Sequence, residues 1–319
     1  MTKKPEELPL FSQLPDATGS PSAGPGKVRP GTGLSAATAA WGESLATAGR
    51  SIHTVKAFTA DLRLLAQFLG AGQAVSTIST LDLKRFLDWM VTRRSVACSP
   101  KTYSRRVTSI KAFFRWLVEI GVLASDPAAP IPQQTVLSPL PEVLSPDEAD
   151  GVLRAAEAHR AGPRPDARPA TLLGLLLQTG IKKGECLALR SNHVDLTAPG
   201  GPTLFVRYGE VSKRYKERRL PLPPPWISAY REYLGQYAPK DRLFPWSPRR
   251  LEYLLEDIGK EAGLEKHLSF DMCRWTSALL DYRAGVDRDS IRQKLGISKI
   301  QWREVGAKLD RLAAAGQPE

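Results

Sequence analysis

The densest group of side chains able to bind a ligand lies between Val211 and Arg219. Five cations fall within seven positions there: Lys213, Arg214, Lys216, Arg218 and Arg219. Ammonium and guanidinium groups form charge-assisted hydrogen bonds with phosphate and carboxylate oxygens, so the stretch suits an anionic ligand. The spacing leaves two interpretations open: a charged turn exposed to water, or a turn that projects a lysine into a nucleic-acid groove.

A second group of cations surrounds the start of a predicted helix at Ser99-Pro100. Its members are Arg93, Arg94, Lys101, Arg105 and Arg106. Positive charge at a helix N-terminus opposes the positive end of the helix macrodipole, so the arrangement is locally unfavourable. An ordinary solvated helix face is the simpler interpretation, but the clustering favours an anionic partner.

Cysteine and histidine residues are too scattered to form a metal site. The three cysteines, Cys98, Cys186 and Cys273, form no CxxC pair, and the four histidines form no HExxH motif. We therefore expect no metal, no cofactor and no disulfide framework, with the reducing cytoplasm as the compartment. No segment approaches the roughly 20 apolar residues of a membrane span, so no membrane partner is expected.

Composition points in the same direction as the basic clusters. The chain has 319 residues, with 45 Lys and Arg against 33 Asp and Glu, and a formal net charge of +12. At about 150 residues per domain the length predicts two domains, and the hydrophobic fraction is sufficient for a core in each. The basic surplus favours polyanionic partners such as nucleic acid.

The domain that must position the cations around Ser99 is predicted to be a helical bundle. Apolar residues recur at helical spacing in its first predicted helix: Phe58, Leu62, Leu65 and Leu69. Further helices are predicted to start near Thr80 and at Ser99, where an N-cap residue precedes proline. We assign this domain to residues 35–126 and expect a flexible tail, rich in Pro, Gly and Ser, over residues 1–34.

Proline-rich sequence separates this bundle from a second domain. Six prolines between residues 127 and 146 exclude a regular helix and stiffen the connection, so residues 127–143 are assigned to a linker. The second domain is predicted over residues 144–308, with a C-terminal tail over 309–319. It should contain an apolar helix from Ala170 to Thr179 and, on both sides of the basic turn, a β-hairpin.

From about Ser51 to Gly306 the sequence resembles the tyrosine recombinase, or phage integrase, family. Two signature helices of the family's core-binding domain are matched by SIHTVKAFTADLRLLAQFLG and SPKTYSRRVTSIKAFFRWLVEIGVLASDP. Five boxes of its catalytic domain follow in order as PEVLSPDEADGVLRAA, LLLQTGIKKGECLALR, VSKRYKERRLPL, LSFDMCRWTSALL and KLGISKI. The resemblance implies a mainly α fold with a small β-sheet, in which a helical core-binding (SAM-like) N-terminal domain precedes an α+β catalytic-type domain.

The resemblance also implies a chemistry, in which a tyrosine attacks a DNA phosphodiester and forms a 3′-phosphotyrosine. In the family, two arginines and a histidine or tryptophan clamp the phosphoryl oxygens. A lysine on a β-turn protonates the leaving 5′ oxygen, and another histidine assists. Such a site positions the nucleophile and neutralises the charge that develops in the transition state.

Two of these six family positions are retained, as Lys213 on the β-turn and Arg274 in the His-x-x-Arg box. The four that differ are Lys182, Asp271, Ile297 and Gly306, in the places of an arginine, two clamp or assisting side chains and the tyrosine. Lysine lacks the bidentate fork of arginine, and an ionised aspartate repels a phosphodiester. Isoleucine offers no donor, so the catalytic set is degenerate.

Loss of the tyrosine removes the route to the covalent step. The last tyrosine of the chain is Tyr282, inside the helix that follows Arg274, so a shifted alignment does not supply a nucleophile. The hydroxyl groups of Tyr282 and Ser298 are the two candidate substitutes. We favour a packing role for Tyr282 and a turn or N-cap role for Ser298.

The leading hypothesis is a DNA-binding protein of this architecture that takes part in DNA recombination or integration without cleaving a strand itself. Its expected DNA contacts are Arg93, Arg94, Lys101, Arg105, Arg106, Lys182, Lys213, Arg214, Lys216 and Arg274. Expected partners are double-stranded DNA and, on it, active recombinases or further copies of this chain. Two alternatives stay open: an active recombinase with a non-standard nucleophile or one supplied in trans, and a protein-interaction scaffold.

Overall fold

A computed structural model describes residues 28–93, 98–133 and 139–315. The chain divides into two compact units, residues 1–138 and 139–319. The described part is mainly α-helical with one small sheet, as the sequence predicted. Within these ranges no helix combines the length and the apolar character that crossing a bilayer requires.

The described helices of the first unit begin at residues that satisfy free backbone N–H groups. The four α-helices are α1 (Leu34–Thr47), α2 (Ile52–Leu69), α3 (Thr80–Thr92) and α4 (Pro100–Glu119). The Ser51, Ser79 and Ser99 side chains each accept a hydrogen bond from the backbone of the first turn. The predicted starts at Thr80 and Ser99 therefore agree with the observed helices to within one residue.

Helix α1 was not predicted, because its buried positions are mostly small. Leu34, Ala37 and Trp41 face the core of the first unit, and the remaining alanines give the helix little amphipathic contrast. Trp41 stacks on Phe58 of α2 with ring centroids 5.8 Å apart, and it meets Phe113 of α4 edge to face. Aromatic packing of this kind fixes the three helices against one another.

Both boundaries of the predicted first domain are too narrow. Val28 is buried against the core of the first unit, so order begins before residue 35. Ala128 and Ile131 are also buried there, inside the stretch assigned to the linker. Lys111 Nζ donates to the carbonyl oxygen of Ile131 at 2.6 Å and anchors this segment. Proline excluded helix from this stretch but not packing.

The second unit surrounds the apolar helix α6 with other helices and a sheet. Its α-helices are α5 (Pro146–Ala161), α6 (Arg168–Thr179), α7 (Lys183–Ala188), α8 (Pro224–Tyr237), α9 (Pro248–Glu261), α10 (Phe270–Arg283), α11 (Arg288–Lys294) and α12 (Lys299–Ala314). α6 packs against α5, α8 and α10, so it lies at the centre of the core. The predicted C-terminal tail from residue 309 is wrong as far as Ala314, since α12 continues and Leu309 is fully buried.

The sheet has three antiparallel strands, β1 (Val194–Asp195), β2 (Thr203–Val206) and β3 (Arg218–Pro221), in that order. β2 and β3 form the predicted hairpin. The basic stretch between them contains a 3-10 helix, Val211–Lys216, which we call the hairpin tip. β1 was not predicted, because two residues carry no alternation to recognise.

Candidate functional site

A cleft of about 390 Å³ opens in the second unit where α7 and α10 begin. We call it the cationic cleft; it is lined by Lys182, Lys183, Glu252, His267, Leu268, Ser269, Phe270, Asp271 and Arg274. The turn that forms it follows Gly180, which ends α6 in a left-handed conformation with φ of +58°. A Cβ at that position would lie 3.2 Å from Ser277 Oγ and from the Leu295 side chain, so glycine fits best.

Arg274 joins the C-terminal ends of two helices. Its Nη1 donates to the carbonyl oxygen of Gly180 at the end of α6, and its Nη2 donates to that of Leu295 at the end of α11. Burial lowers the pKa of Arg274 to about 10, and the charge of Glu185 opposes this shift. The group stays protonated at pH 7. Within the described residues three of its five N–H donors are free for an anion.

Lys182 precedes α7 and is partly buried in the same cleft. Burial, together with the charges of Arg274 and Lys216, lowers the pKa of its ammonium to about 8, and the charge of Glu185 opposes this shift. Cations that lower one another's pKa in this way bind an anion favourably, because the anion relieves their repulsion. Lys182 and Arg274 therefore share one cleft, with the charge of Lys216 nearby, and their role as a phosphate site stays a prediction.

Glu185 in α7 holds the hairpin against the cleft. Its carboxylate accepts hydrogen bonds from Arg218 Nη2 at 2.9 Å, from the Lys182 backbone N–H at 2.8 Å and from the Tyr208 hydroxyl. These bonds outweigh burial and lower the pKa of Glu185 to about 2. Arg218 Nε also donates to the carbonyl oxygen of Lys294 at 2.6 Å. The root of the hairpin is thus fixed to α7 and to the end of α11.

The two lysines of the hairpin tip lie on one face of its 3-10 helix, because residues three apart are eclipsed there. Lys213 Nζ pairs with Glu210 at 2.7 Å and stays partly exposed. Lys216 is close enough to Lys182 to lower its pKa. Lys216 therefore lies near the cationic cleft, and Arg214 is exposed on the same tip.

The other positions predicted to be degenerate are Asp271, Ile297 and Gly306. Asp271 lies in the first turn of α10 and is exposed at the cleft. Ile297 is buried in an apolar cluster with Leu295 and Leu309. Gly306 is buried in α12, where an added Cβ would lie 3.4 Å from the indole of Trp302. By the predicted alignment, an alkyl group and a glycine stand where the family has a clamp and the nucleophile.

The hydroxyl groups of Tyr282, Ser298 and Tyr208 already form hydrogen bonds. Tyr282 donates to Asp310 and accepts from Arg288 Nη2 at 3.0 Å. Ser298 accepts from the Gln301 backbone as the N-cap of α12. Tyr208 reaches the site, but burial and its bond to Glu185 raise the pKa of the phenol above its usual value. Each contact opposes service as a nucleophile.

Part of the basic group in the first unit is internal. Arg106 is buried; its Nη1 contacts Cys98 Sγ at 3.3 Å, and its Nε lies 3.5 Å from the carboxylate of Asp61. Arg105 donates to the same carboxylate at 2.5 Å and remains partly exposed. The prediction of Arg106 as a DNA contact is therefore wrong, because Asp61 draws it into the core. Ser109 donates to this carboxylate as well.

The other predicted DNA contacts of this group are Arg93, Arg94 and Lys101. Arg93 and Lys101 are exposed at the end of α3 and the start of α4. Arg94 lies outside the described residues. Asp61 itself carried a recognisable signal, because it is an acid next to the apolar stripe of α2, where an unpaired charge is costly.

Several site residues were not predicted as ligands. His267 lines the cleft from the segment before α10, and Lys183 lines it while pairing with Glu252 at 2.5 Å. Arg218 and Tyr208 act through Glu185. The proximity of His267 to the FDMCR segment is a signal that the sequence contained; the partners of Glu185, 23 and 33 positions away, could not be read from spacing.

Two family profiles match the chain. The profile described as the phage integrase family covers residues 142–303, and the one described as the phage integrase N-terminal SAM-like domain covers residues 39–121. The first range lies in the second unit and the second range lies in the first unit. All residues that line the cationic cleft fall within residues 142–303.

Individual relatives agree with the profiles. Tyrosine recombinase XerD of Listeria innocua is 24% identical over 83% of this chain and 90% of its own length, and tyrosine recombinase XerC of Xylella fastidiosa is 27% identical over 82% and 88%. XerC of Mycobacterium tuberculosis is 33% identical over 58% of this chain and 60% of its own length.

Solved structures share the fold at lower identity. A lambda integrase dimer bound to a COC′ core site gives a TM-score of 0.68 with 15% identity, and covers 90% of this chain and 79% of that one. XerH recombinase bound to a palindromic difH substrate gives 0.67 with 19% identity, and covers 87% and 83%.

Proposed function

Because the chain belongs to the phage integrase family of tyrosine recombinases, we propose that it binds duplex DNA and takes part in DNA recombination without cutting a strand itself. Its role is that of an accessory or regulatory partner of active recombinases, or of a factor that occupies their sites. The proposal separates two capacities that the family combines, phosphate binding and nucleophilic attack.

The observation that carries the proposal is Gly306 at the place of the nucleophile. A glycine in α12 has no group that can attack phosphorus, and the neighbouring hydroxyls of Ser298 and Tyr282 are held by structural hydrogen bonds. Tyr208 donates to Glu185, which fixes the hairpin beside the cleft. Burial and this hydrogen bond raise the pKa of the phenol and so disfavour the phenolate. These contacts favour the non-cleaving role over a relocated nucleophile.

DNA binding is supported by the charges that the fold retains. Arg274 and Lys182 present cationic donors in one cleft, and Lys216 adds a third charge from the hairpin tip. The proposed contacts are Arg93, Lys101 and Arg105 in the first unit and Lys182, Lys213, Arg214, Lys216 and Arg274 in the second. In a protein-interaction scaffold without a DNA role, nothing would require several cations to share a partly buried site. The shared site therefore argues against that alternative.

An assembly on DNA follows from the same reasoning. Relatives of this fold have been seen as a lambda integrase dimer on a core site and as a lambda integrase tetramer on a Holliday junction. We propose that this chain joins a comparable dimer or tetramer, with itself or with an active recombinase. In such a mixed assembly the partner supplies the tyrosine for its own strand.

A salt titration of DNA binding tests the proposed grip. We expect log K for a random-sequence duplex to fall linearly with log salt concentration, and the slope to decrease by about 1 when Lys101→Ala removes one phosphate contact. The matched control is Lys260→Ala, an exposed lysine on α9 outside the proposed set, which should leave the slope unchanged. A flat salt dependence, or no binding at low salt, would contradict the proposal.

Covalent trapping tests the second half of the proposal. A nicked suicide duplex releases a short fragment on cleavage, so any phosphotyrosine adduct accumulates and is visible on a denaturing gel. We expect none from this chain alone. A protease-sensitive adduct would show that it cleaves DNA and would establish the alternative of an active recombinase with a non-standard nucleophile.

The lowered pKa of Lys182 predicts a pH-dependent grip. Because the ammonium loses its proton near pH 8 in the free protein, DNA affinity at constant ionic strength should fall as the pH rises from 7 to above 8. Lys182→Arg should remove this step, since arginine stays protonated throughout, whereas Lys101→Ala should retain it. Fluorescence anisotropy at several pH values measures the effect; the same step in Lys182→Arg would assign it elsewhere.

A further inference from the structure

The hairpin tip exposes two large apolar side chains beside its cations. Val211 is 73% exposed and Tyr215 is 71% exposed, the highest values among the large hydrophobic residues that the structure describes. Single exposed apolar residues are common on proteins and need no explanation. Two of them within a six-residue tip that also carries Lys213, Arg214 and Lys216 form a distinct surface.

The Lys216 ammonium lies over the Tyr215 ring, 5.2 Å from the ring centroid, and forms a cation–π contact with it. Across the described ranges its hydroxyl has no hydrogen-bond partner. Tyr208 and Tyr282, by contrast, donate to the carboxylates of Glu185 and Asp310. The edge of the Tyr215 ring and its face away from Lys216 are therefore open to a flat partner.

Tyr215 is also placed next to the expected path of DNA. Lys213 and Lys216 share one face of the 3-10 helix, and Lys216 lies near Lys182 of the cationic cleft. Tyr215 projects about a third of a turn from that face. The root of the hairpin is held by the Arg218–Glu185 pair and by the ladder between β2 and β3. A phosphate on the lysine face would leave the ring against a neighbouring nucleotide.

We propose that Tyr215 is a base-stacking wedge that selects DNA at a weakly stacked or mismatched base step. Apolar side chains inserted between base steps kink a duplex. The free-energy cost of unstacking the bases is offset by the additional contacts that the kinked DNA makes with the protein. An aromatic ring flanked by cations combines a stacking surface with charges for the adjacent phosphates. The inference rests on the proposed function, since it requires DNA at the cationic cleft.

The test compares two short duplexes that differ by one T·T mismatch beside a 2-aminopurine. The wild-type protein should bind the mismatched duplex more tightly and raise the 2-aminopurine fluorescence as the base unstacks. Tyr215→Ala should lower affinity for that duplex by about 5- to 100-fold and abolish the fluorescence rise. Tyr215→Phe, which keeps the ring, should retain both signals.

Tyr253→Ala is the matched control, because Tyr253 is exposed on α9 and has an arginine, Arg249, over its ring. It should behave as the wild type on both duplexes. If the wild type binds DNA but shows no preference, or if Tyr215→Ala keeps the preference, the wedge is refuted while DNA binding stands, and the tip would then be assigned to a protein partner. If neither duplex is bound, the proposed function fails as well.

Discussion

The variant Gly306→Tyr should remain unable to form a covalent adduct with nicked DNA, although it restores the residue that attacks in the family. The reason is that the predicted alignment places Lys182, Asp271 and Ile297 where the family has an arginine and two clamp or assisting side chains. Removing one transition-state donor commonly lowers kcat by about 10²–10³-fold. A tyrosine that faces an incompletely clamped phosphate, beside a repelling carboxylate, gains little.

Restoring all four positions should produce the adduct. The combined variant Lys182→Arg, Asp271→His, Ile297→His and Gly306→Tyr supplies the fork, the two imidazoles and the nucleophile together. A pool of nicked duplexes with randomised flanks serves as substrate, and the adduct is measured on a denaturing gel. Thermal unfolding of each variant must accompany the assay, because residue 297 is buried and a Cβ added at position 306 would lie 3.4 Å from the Trp302 indole.

The matched control carries phenylalanine instead of tyrosine at position 306, with the other three substitutions unchanged. It fills the same space in α12 and lacks only the hydroxyl, so it should form no adduct. An adduct from Gly306→Tyr alone would show that Lys182, Asp271 and Ile297 do not impair catalysis. A folded fourfold variant without an adduct would show that positions outside these four are also degenerate.

Glu185→Ala should destabilise the second unit by about 3–5 kcal/mol, because it leaves the buried Arg218 guanidinium without its counter-charge. The Arg218 and Glu185 side chains are 9% and 3% exposed, so water does not replace the lost partner. The Lys182 N–H and the Tyr208 hydroxyl lose an acceptor as well. Urea unfolding followed by circular dichroism measures the change.

Asp241→Ala is the matched control for this prediction. It breaks the Arg190–Asp241 pair, whose N–O distance is 2.8 Å but whose side chains are 60% and 65% exposed. Exposed pairs contribute about 0–1 kcal/mol, so the loss should be small. Equal destabilisation by the two substitutions would mean that Glu185 is not the buried anchor of the hairpin.

The same carboxylate should make stability depend on acid pH. The pKa of Glu185 is lowered from its ordinary 4.5 to about 2 in the folded protein, so its stabilising contribution is present above pH 4.5. It is lost as the pH falls from 4.5 toward 2, because the unfolded chain binds the proton first. The stability advantage of the wild type over Glu185→Gln should therefore shrink across this interval; a constant difference would contradict the assignment.

Local signals predicted much of the fold. Serine N-caps and Ser99-Pro100 specify helix starts through contacts within one turn, and these starts appear at the predicted places. Boundaries that depend on tertiary packing were missed. Ala128 and Ile131 are buried because Lys111 and the first-unit core hold them, which a proline-rich stretch does not reveal. The sequence did not predict helix α1, because its small residues give a weak periodic pattern of hydrophobicity.

The site divides along the same line. The sequence by itself determined which groups are present: a lysine at position 213, an arginine at position 274 and a glycine at position 306. Only the tertiary structure decided their state. Burial beside Arg274 brings the pKa of Lys182 to about 8, and Asp61 withdraws Arg106 from the surface. The reason is physical: a residue's identity is covalent, whereas its charge and its accessibility depend on solvent exclusion and on groups far away in the chain.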